Sequence, residues 1–455
     1  MTISTASSHK NLIEMLENSR QRYGERPLYG TKRDGVYEWT TYEQFAEKVD
    51  ALRGGLASLG VSSGDKVAII CKNTEEWAVS AYATYGLNGQ HIPMYETQVA
   101  KEWEYIIRDC GAKVLLAANT TVFEQTRKFP DQIETLEHVV LLSGSADGDE
   151  TTYEDLLKKG RENPVDVMQP ESQSPMGMIY TSGTTGRPKG VMLSHDNIVS
   201  NVIESEKRVP FDHGNSKALS FLPVCHVFER MILYLYQYCG VEIYFAESIE
   251  KMSDNLKEIK PNVMTAVPRL YEKVYDKIVA KGSDLKGIKK LLFFWAVNLG
   301  LKYEPYGQNG WLYEQQLSLA RKLIFSKWKE GLGGNLDLMV SGSAALQTRL
   351  TRVFAAAEMP IMEGYGLTET SPVVSVNDMR NKHFRIGSVG KIIKDTEVKI
   401  AADGEILVKG PQVMMGYYKE EELTNKVIKN DFFHTGDIGE IKNLLFHSKT
   451  VTNLL

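Results

Sequence analysis

Short, uninterrupted apolar runs recur through the first half of this chain, and they leave it few architectures. Residues 66–71 read KVAIIC. A run of that length, rich in β-branched residues and apolar on both faces, suits a strand covered on both sides, as in a parallel sheet. The preceding stretch, 42–59, carries Phe45, Val49, Leu52, Leu56 and Leu59 at helical spacing. The pattern continues with a helix over 75–87, a strand over 90–94, a helix near 100–110, and strands over 113–117 and 137–142. Strands that alternate with helices predict an α/β fold. After a polar loop at 144–150 and a charged stretch at 158–174 expected to be a linker, the rhythm resumes. Strands are predicted over 176–180, up to Phe221, and over 241–245, 262–266 and 336–341. The last third changes character. Residues 396–401, 404–409 and 412–418 read as short strands broken by Asp403-Gly404 and Gly410-Pro411, the pattern of a small β-barrel or meander.

Composition narrows the function classes. The 455 residues, 42% hydrophobic and 24% charged, can bury large cores without disulfide or metal staples. Fifty-three basic against 58 acidic residues give a net charge of −5, which argues against a general nucleic-acid binder. Cys71, Cys110, Cys225 and Cys239 form no CxxC pair, so neither a zinc site nor a thioredoxin motif is encoded. Scattered thiols suit a reducing, cytoplasmic setting. The N-terminal MTISTASSHKNLIEML lacks the cationic start and apolar run of a signal peptide. The longest apolar stretch, LLFFWAVNLGL at 291–301, holds Asn298 and falls short of the roughly 20 residues a membrane span requires.

The strongest local signal is YTSGTTGRPKG at 180–190. Gly183, Gly186 and Gly190 let backbone approach a ligand and turn its N–H groups inward. Ser182, Thr184 and Thr185 add hydroxyls, and Arg187 and Lys189 add positive charge. Donors and charge without bulk are what a polyphosphate needs. The Walker A pattern fails here, because Lys189 is followed by Gly190 and not by Ser or Thr. A plain exposed Gly/Thr turn is the competing reading.

This segment resembles the phosphate loop of the adenylate-forming superfamily, which includes acyl-CoA synthetases, luciferases and peptide-synthetase adenylation domains. The family's other motifs follow in order. GYGLTET at 364–370 resembles the adenine and magnesium motif, GEILVKGPQVMMGY at 404–417 the β-rich segment, and FHTGDIG at 433–439 the ribose motif. The resemblance runs from about residue 10 to about residue 441. It implies an α/β body of two stacked, mostly parallel sheets with helices and a small β-barrel subdomain over 1–441. Residues 442–455 then form a short tail in place of the hinge and C-terminal lid.

The same resemblance implies the site. Thr181, Ser182, Gly183, Thr184, Thr185, Gly186 and Lys189 would cradle the phosphates of ATP. Tyr365, between Gly364 and Gly366, would stack on adenine, Thr368 would donate to the α-phosphate, and Asp437 would accept from the ribose hydroxyls. Glu369 and Thr184 would hold Mg²⁺. His226, in PVCHVFER, would lie near the acyl carboxylate. HVFER, AVPRLYEKVY at 266–275 and VSGSAAL at 340–346 resemble the long-chain acyl-CoA synthetase branch, with Ser343 lining the acyl and adenine pocket.

The implied activity is ATP-dependent conversion of a long-chain fatty acid to its adenylate and then to a thioester. ATP, Mg²⁺ and coenzyme A take part, and pyrophosphate and AMP are released. The expected partners are small-molecule substrates and no nucleic acid. The alternatives are a catalytically weak nucleotide- or acyl-binding remnant, suggested by the tail KNLLFHSKTVTNLL, and an adenylating enzyme for another carboxylic acid. Residues 281–330 hold nine basic and four acidic residues among Leu291, Phe293, Phe294, Trp295 and Leu299. That composition suggests peripheral contact with the inner face of a membrane. A core helix with solvated lysines competes with it.

Overall fold

A computed structural model describes residues 9–146, 148, 150–182, 187–380, 382–442 and 445–450. Among these, the strands form three sheets. The first has eight strands, and its centre is Gln90–Met94, Lys66–Ile70, Val114–Ala117 and His138–Leu141, all parallel. Pro175–Thr181 joins parallel to Gln90–Met94, and Lys189–Ser194 folds back antiparallel to it as a hairpin. The second sheet has nine strands, with a parallel core of Ile361–Gly366, Leu338–Ser341, Val263–Ala266, Lys217–Ser220 and Glu242–Phe245. The third is a five-stranded antiparallel sheet that includes Glu397–Ile400, Glu405–Lys409 and Phe432–Lys442.

The continuous apolar runs behave as their burial on both faces requires. Val67, Ala68, Ile69 and Ile70 are fully buried, as are Val114 to Ala117. The layer of helices between the two large sheets contains Leu12–Tyr23, Tyr42–Ser58, Glu75–Tyr85, His195–Glu206 and Val227–Tyr238, and it carries the largest core cluster. The last of these helices is buried on nearly every side, from Val227 through Gln237.

That burial includes two adjacent ionisable residues, and each is bonded on a different side. Glu229 accepts from Ser220 Oγ at 2.6 Å and Thr265 Oγ1 at 3.0 Å, both on strands of the nine-stranded sheet. Arg230 reaches the other way, donating to Tyr85 Oη at 2.6 Å and lying over the Trp77 ring at 5.5 Å. Gln237 continues the pinning, accepting from Tyr42 on its carbonyl and from Tyr82 on its side chain.

Two expectations are corrected. The stretch 158–174 is not a linker throughout, because Tyr153–Glu162 is a helix with a capping box at Thr152 and Asp155. It packs on Tyr42–Ser58 through glycines placed where only glycine fits. Residues 412–418 do not form a strand of the small sheet. Only Gly416–Tyr417 is extended, and it pairs antiparallel with Lys189–Ser194 of the eight-stranded sheet. Beyond Phe432–Lys442, Leu445–Thr450 pairs antiparallel with it, with Lys442 opposite Leu445.

A Cβ on Gly160 would lie 1.7 Å from the Ala51 carbonyl oxygen, and one on Gly55 2.4 Å from that of Leu156. Gly160→Ala therefore forces the two helices apart, with an expected loss of about 3 kcal/mol in urea unfolding. Gly331→Ala, where a Cβ meets nothing within 4 Å, should stay within about 0.5 kcal/mol of the parent.

Candidate active site

The sequence-expected residues converge because most of them follow the carboxyl ends of parallel strands, where an open α/β sheet leaves a crevice. Thr181 and Ser182 end Pro175–Thr181. Gly342 and Ser343 follow Leu338–Ser341. Gly364, Tyr365 and Gly366 close Ile361–Gly366, and Thr368 and Glu369 begin the next turn. His226 caps the helix Val227–Tyr238, after the loop that leaves Lys217–Ser220. Asp437 comes from the third sheet. All of these, with Lys189, line one cavity of about 1270 Å³. Gly183, Thr184, Thr185 and Gly186 lie outside the described residues.

Both stems of the phosphate loop are tied to the helix Ala100–Cys110. Tyr180 donates to Asp109 Oδ2 at 2.6 Å, and Tyr105 donates to the Pro188 carbonyl at 3.2 Å. Lys189, at the start of the return strand, holds its ammonium 4.6 Å from the centroid of the Tyr417 ring. The Tyr417 hydroxyl donates to Glu369 Oε1 at 2.7 Å. Burial, and next the Glu369 carboxylate, push the Tyr417 phenol well above its ordinary range, so it remains a donor. Tyr417 thus stands between the loop cation and the acidic residue. Sequence reasoning quoted its segment and passed over it. The only available signal was its place at the end of that motif, because the pairing that brings it here is long-range.

The ribose motif is equally ordered. Tyr365 donates to Asp437 Oδ2 at 2.9 Å, and Asp437 is buried. Glu405 fixes the approach by accepting from the Gly436 amide at 2.9 Å and pairing with His434 Nδ1 at 2.8 Å. Glu405 and His434 also line the cavity and were not singled out from sequence. Tyr365 does two things here: its ring borders the cavity and its hydroxyl sets the Asp437 carboxylate.

His226 has a defined tautomer. Its Nδ1 accepts from the Phe228 amide at 3.2 Å, and burial holds its pKa below the ordinary value. A neutral ring that accepts on Nδ1 carries its proton on Nε2, a donor at the mouth of the adjoining helix. Along that helix the cavity is bordered by Val227, Phe228, Met231, Ile232, Leu235 and Tyr236. These residues share one face over about 13 Å. Gly342 gives the Phe228 ring its room, since a Cβ there would sit 3.1 Å from Phe228 Cζ. The cavity therefore has a polar end rich in donors and an apolar arm.

The donor set bears on a metal ion. Among the described residues no cluster of three His, Cys, Asp or Glu could cage one. Glu369 borders the cavity as a carboxylate beside the phosphate-loop stems. One carboxylate beside a polyphosphate site fits Mg²⁺, which keeps most of its waters and shares phosphate oxygens.

With this geometry in place, comparison with known proteins identifies the class. Residues 16–418 match the family described as AMP-binding enzyme, and the chain belongs to that family. Its sequence falls in the long-chain acyl-CoA synthetase branch of the adenylate-forming superfamily. Long-chain-fatty-acid–CoA ligase FadD15 of Mycobacterium bovis is 31% identical over 443 residues, covering 96% of this chain and 73% of the relative. Long chain acyl-CoA synthetase 3 of Arabidopsis thaliana is 30% identical over 439 residues, covering 89% of this chain and 65% of the relative. Among solved structures, the fatty acyl CoA synthetase of Mycobacterium tuberculosis superposes with a TM-score of 0.72 at 20% identity, over 96% of this chain and 78% of that one. The anthranilate CoA ligase AuaEII, solved with anthranoyl-AMP, gives 0.76 at 19% identity, over 98% and 79%. These likenesses establish the adenylate-forming fold, including the small half-barrel sheet.

The buried acid beside His226 generates a test. Desolvation raises Glu229 to about 7, against the pull of its two hydroxyl donors. The folded state then keeps a proton that the unfolded chain releases, so stability falls as pH rises from about 4.5 to about 7. Glu229→Gln removes that ionisation. In urea titrations between about pH 5 and about pH 8, the variant should lose less stability than the parent, by up to roughly 3 kcal/mol.

Proposed function

We propose that this chain activates a long-chain fatty acid with ATP and passes the acyl group to coenzyme A. The observation that carries the reading is the two-ended cavity: phosphate-loop stems, Tyr365 and Asp437 at the polar end, and an apolar helix face leading away from His226. The curated relatives named as long-chain ligases add support at about 30% identity.

The residues take the following roles. Thr181, Ser182 and Lys189, with the loop between them, bind the phosphates. Tyr365 borders the adenine, Asp437 takes the ribose hydroxyls, and Ser343 bounds the same pocket. His226 donates from Nε2 to the fatty-acid carboxylate and aligns it. Thr368 donates to the α-phosphate.

A carboxylate oxygen then forms a bond to the α-phosphorus. The bond to the β-bridging oxygen breaks, and its electron pair leaves with pyrophosphate. In the second step the sulfur of coenzyme A attacks the acyl carbon, AMP departs with the electrons of the acyl–oxygen bond, and the thiol proton passes to solvent. No protein group changes protonation in the first step, so catalysis there is positioning and charge neutralisation. Glu369, with Thr184, would hold the Mg²⁺ that accompanies ATP, and the bound ion would neutralise phosphate charge.

The test is pyrophosphate release with fatty acids of graded length, with and without coenzyme A. Long acids should support release, and thioester should appear only with coenzyme A. Release with no fatty acid of any length would overturn the reading. Glu369→Ala should lower release on the order of 10²–10³-fold, and unchanged release would remove its metal role. Tyr417→Phe keeps the ring under Lys189 and deletes only the bond to Glu369. The expected loss is about tenfold, read as kcat at saturating ATP.

A further inference from the structure

The loop that leaves Lys217–Ser220 and ends at His226 is held by the opposite sheet. The Cys225 thiol donates to the Met94 carbonyl at 3.0 Å, at the end of Gln90–Met94, and lies 3.7 Å from the Cys71 carbonyl, just past Lys66–Ile70. Burial pushes that thiol well above its ordinary range, so it keeps its proton. Asn73 makes the stronger tie. It lies between the strand Lys66–Ile70 and the helix Glu75–Tyr85. Its Nδ2 donates to the Leu222 carbonyl at 2.7 Å and to Ser220 Oγ at 2.9 Å, and its Oδ1 accepts from the Val224 amide at 3.0 Å. The Val224 N–H can only donate, which fixes the amide oxygen on that side. One side chain thus takes both a carbonyl and an amide of the loop, and so sets its orientation as well as its distance. From there a turn, closed by the His226 amide on the Pro223 carbonyl at 3.0 Å, leads into the helix.

The bond to Ser220 carries further. Ser220 Oγ accepts the Asn73 proton and donates its own to Glu229 Oε1 at 2.6 Å. A hydrogen-bonded chain therefore runs from the eight-stranded sheet, through Asn73 and Ser220, to the first turn of the helix that His226 caps. Asn73 holds the chain on both sides of His226: the loop before it directly, and the helix after it through Ser220. Asn73 is not part of the cavity lining, so its effect on the site passes through His226. Sequence reading passed over it, because its partners lie about 150 residues away.

We propose that Asn73 is a positioning residue that sets His226 from the opposite sheet. The inference rests on the activation reading above, in which His226 aligns the fatty-acid carboxylate. The test is a double-mutant cycle on pyrophosphate release, with the fatty acid and ATP varied separately. Asn73→Ala should lower kcat/KM for the fatty acid about tenfold or more and leave KM for ATP within about twofold. In a His226→Ala background the same change should cost less than about twofold, because the group it positions is gone. A residue that merely stabilises the fold would give equal losses in both backgrounds. Asn73→Asp is isosteric, keeps an oxygen for the Val224 amide and loses both donor bonds. It should behave the same way in the cycle, and it stands as the second variant should Asn73→Ala not fold. Equal losses in the two backgrounds overturn the proposal. So do unchanged kinetics in both Asn73 variants, or unchanged kinetics in His226→Ala. A parent that releases pyrophosphate with no fatty acid overturns the activation reading and this inference together, whereas an active parent with an additive cycle overturns this inference alone.

Discussion

The helix Val227–Tyr238 is held by two neighbouring ionisable side chains that pull in opposite directions, and the site is built on that tension. Glu229 is bonded to two strands of the nine-stranded sheet, and Arg230 to a tyrosine on a helix of the layer facing the other sheet. An apolar helix in an apolar layer could rotate or slide with little penalty, because dispersion contacts are not directional. Buried hydrogen bonds are directional, and a half-satisfied one is costly. The pair therefore fixes the helix in rotation and along its axis. That in turn sets the Nε2 donor of His226 at its start and the face it presents to the cavity along its length.

The rest of the site depends on three sheets meeting. Parallel strands from both large sheets deliver their carboxyl ends to one crevice, and the third sheet closes over it with Asp437 and Glu405. The junction is made by a two-residue strand, Gly416–Tyr417, paired to the return strand of the phosphate loop. A contact this small carries chemistry as well as architecture, because the tyrosine it places faces both Lys189 and Glu369.

How much of this was legible in the sequence follows from the range of each interaction. Strands such as Lys66–Ile70 and Gln90–Met94 were readable to within a residue, because burial on both faces writes itself into a continuous apolar run. The cavity residues were readable as motifs because each lies in a short contiguous segment of distinctive composition. The helix Tyr153–Glu162 was missed. Its charged sequence has only four buried positions, and the contact that stabilises it uses glycines, which leave no hydrophobic signature. The pairing of Gly416–Tyr417 was assigned to the wrong sheet. Alternating apolar residues specify an extended strand and say nothing about which edge, more than 200 residues away, receives it. Tyr417, Glu405 and His434 stayed unread for the same reason, since their roles exist only once distant segments are side by side.

The placement of Tyr417 also explains how a site can keep opposite charges close without cancelling them. Lys189 and Glu369 border the same cavity, and each meets Tyr417. Had they met directly, an incoming polyphosphate and its cation would have to break a partly buried ion pair before gaining anything, and such pairs resist separation. The tyrosine takes both roles with a neutral group. Its ring face attracts the ammonium and its hydroxyl satisfies one carboxylate oxygen, so neither charge is spent on the other. Under the proposed function, this leaves the lysine for phosphate and the second carboxylate oxygen for a hard cation. In that reading charge is held ready where the proposed reaction needs it, and little reorganisation is left for the moment of reaction.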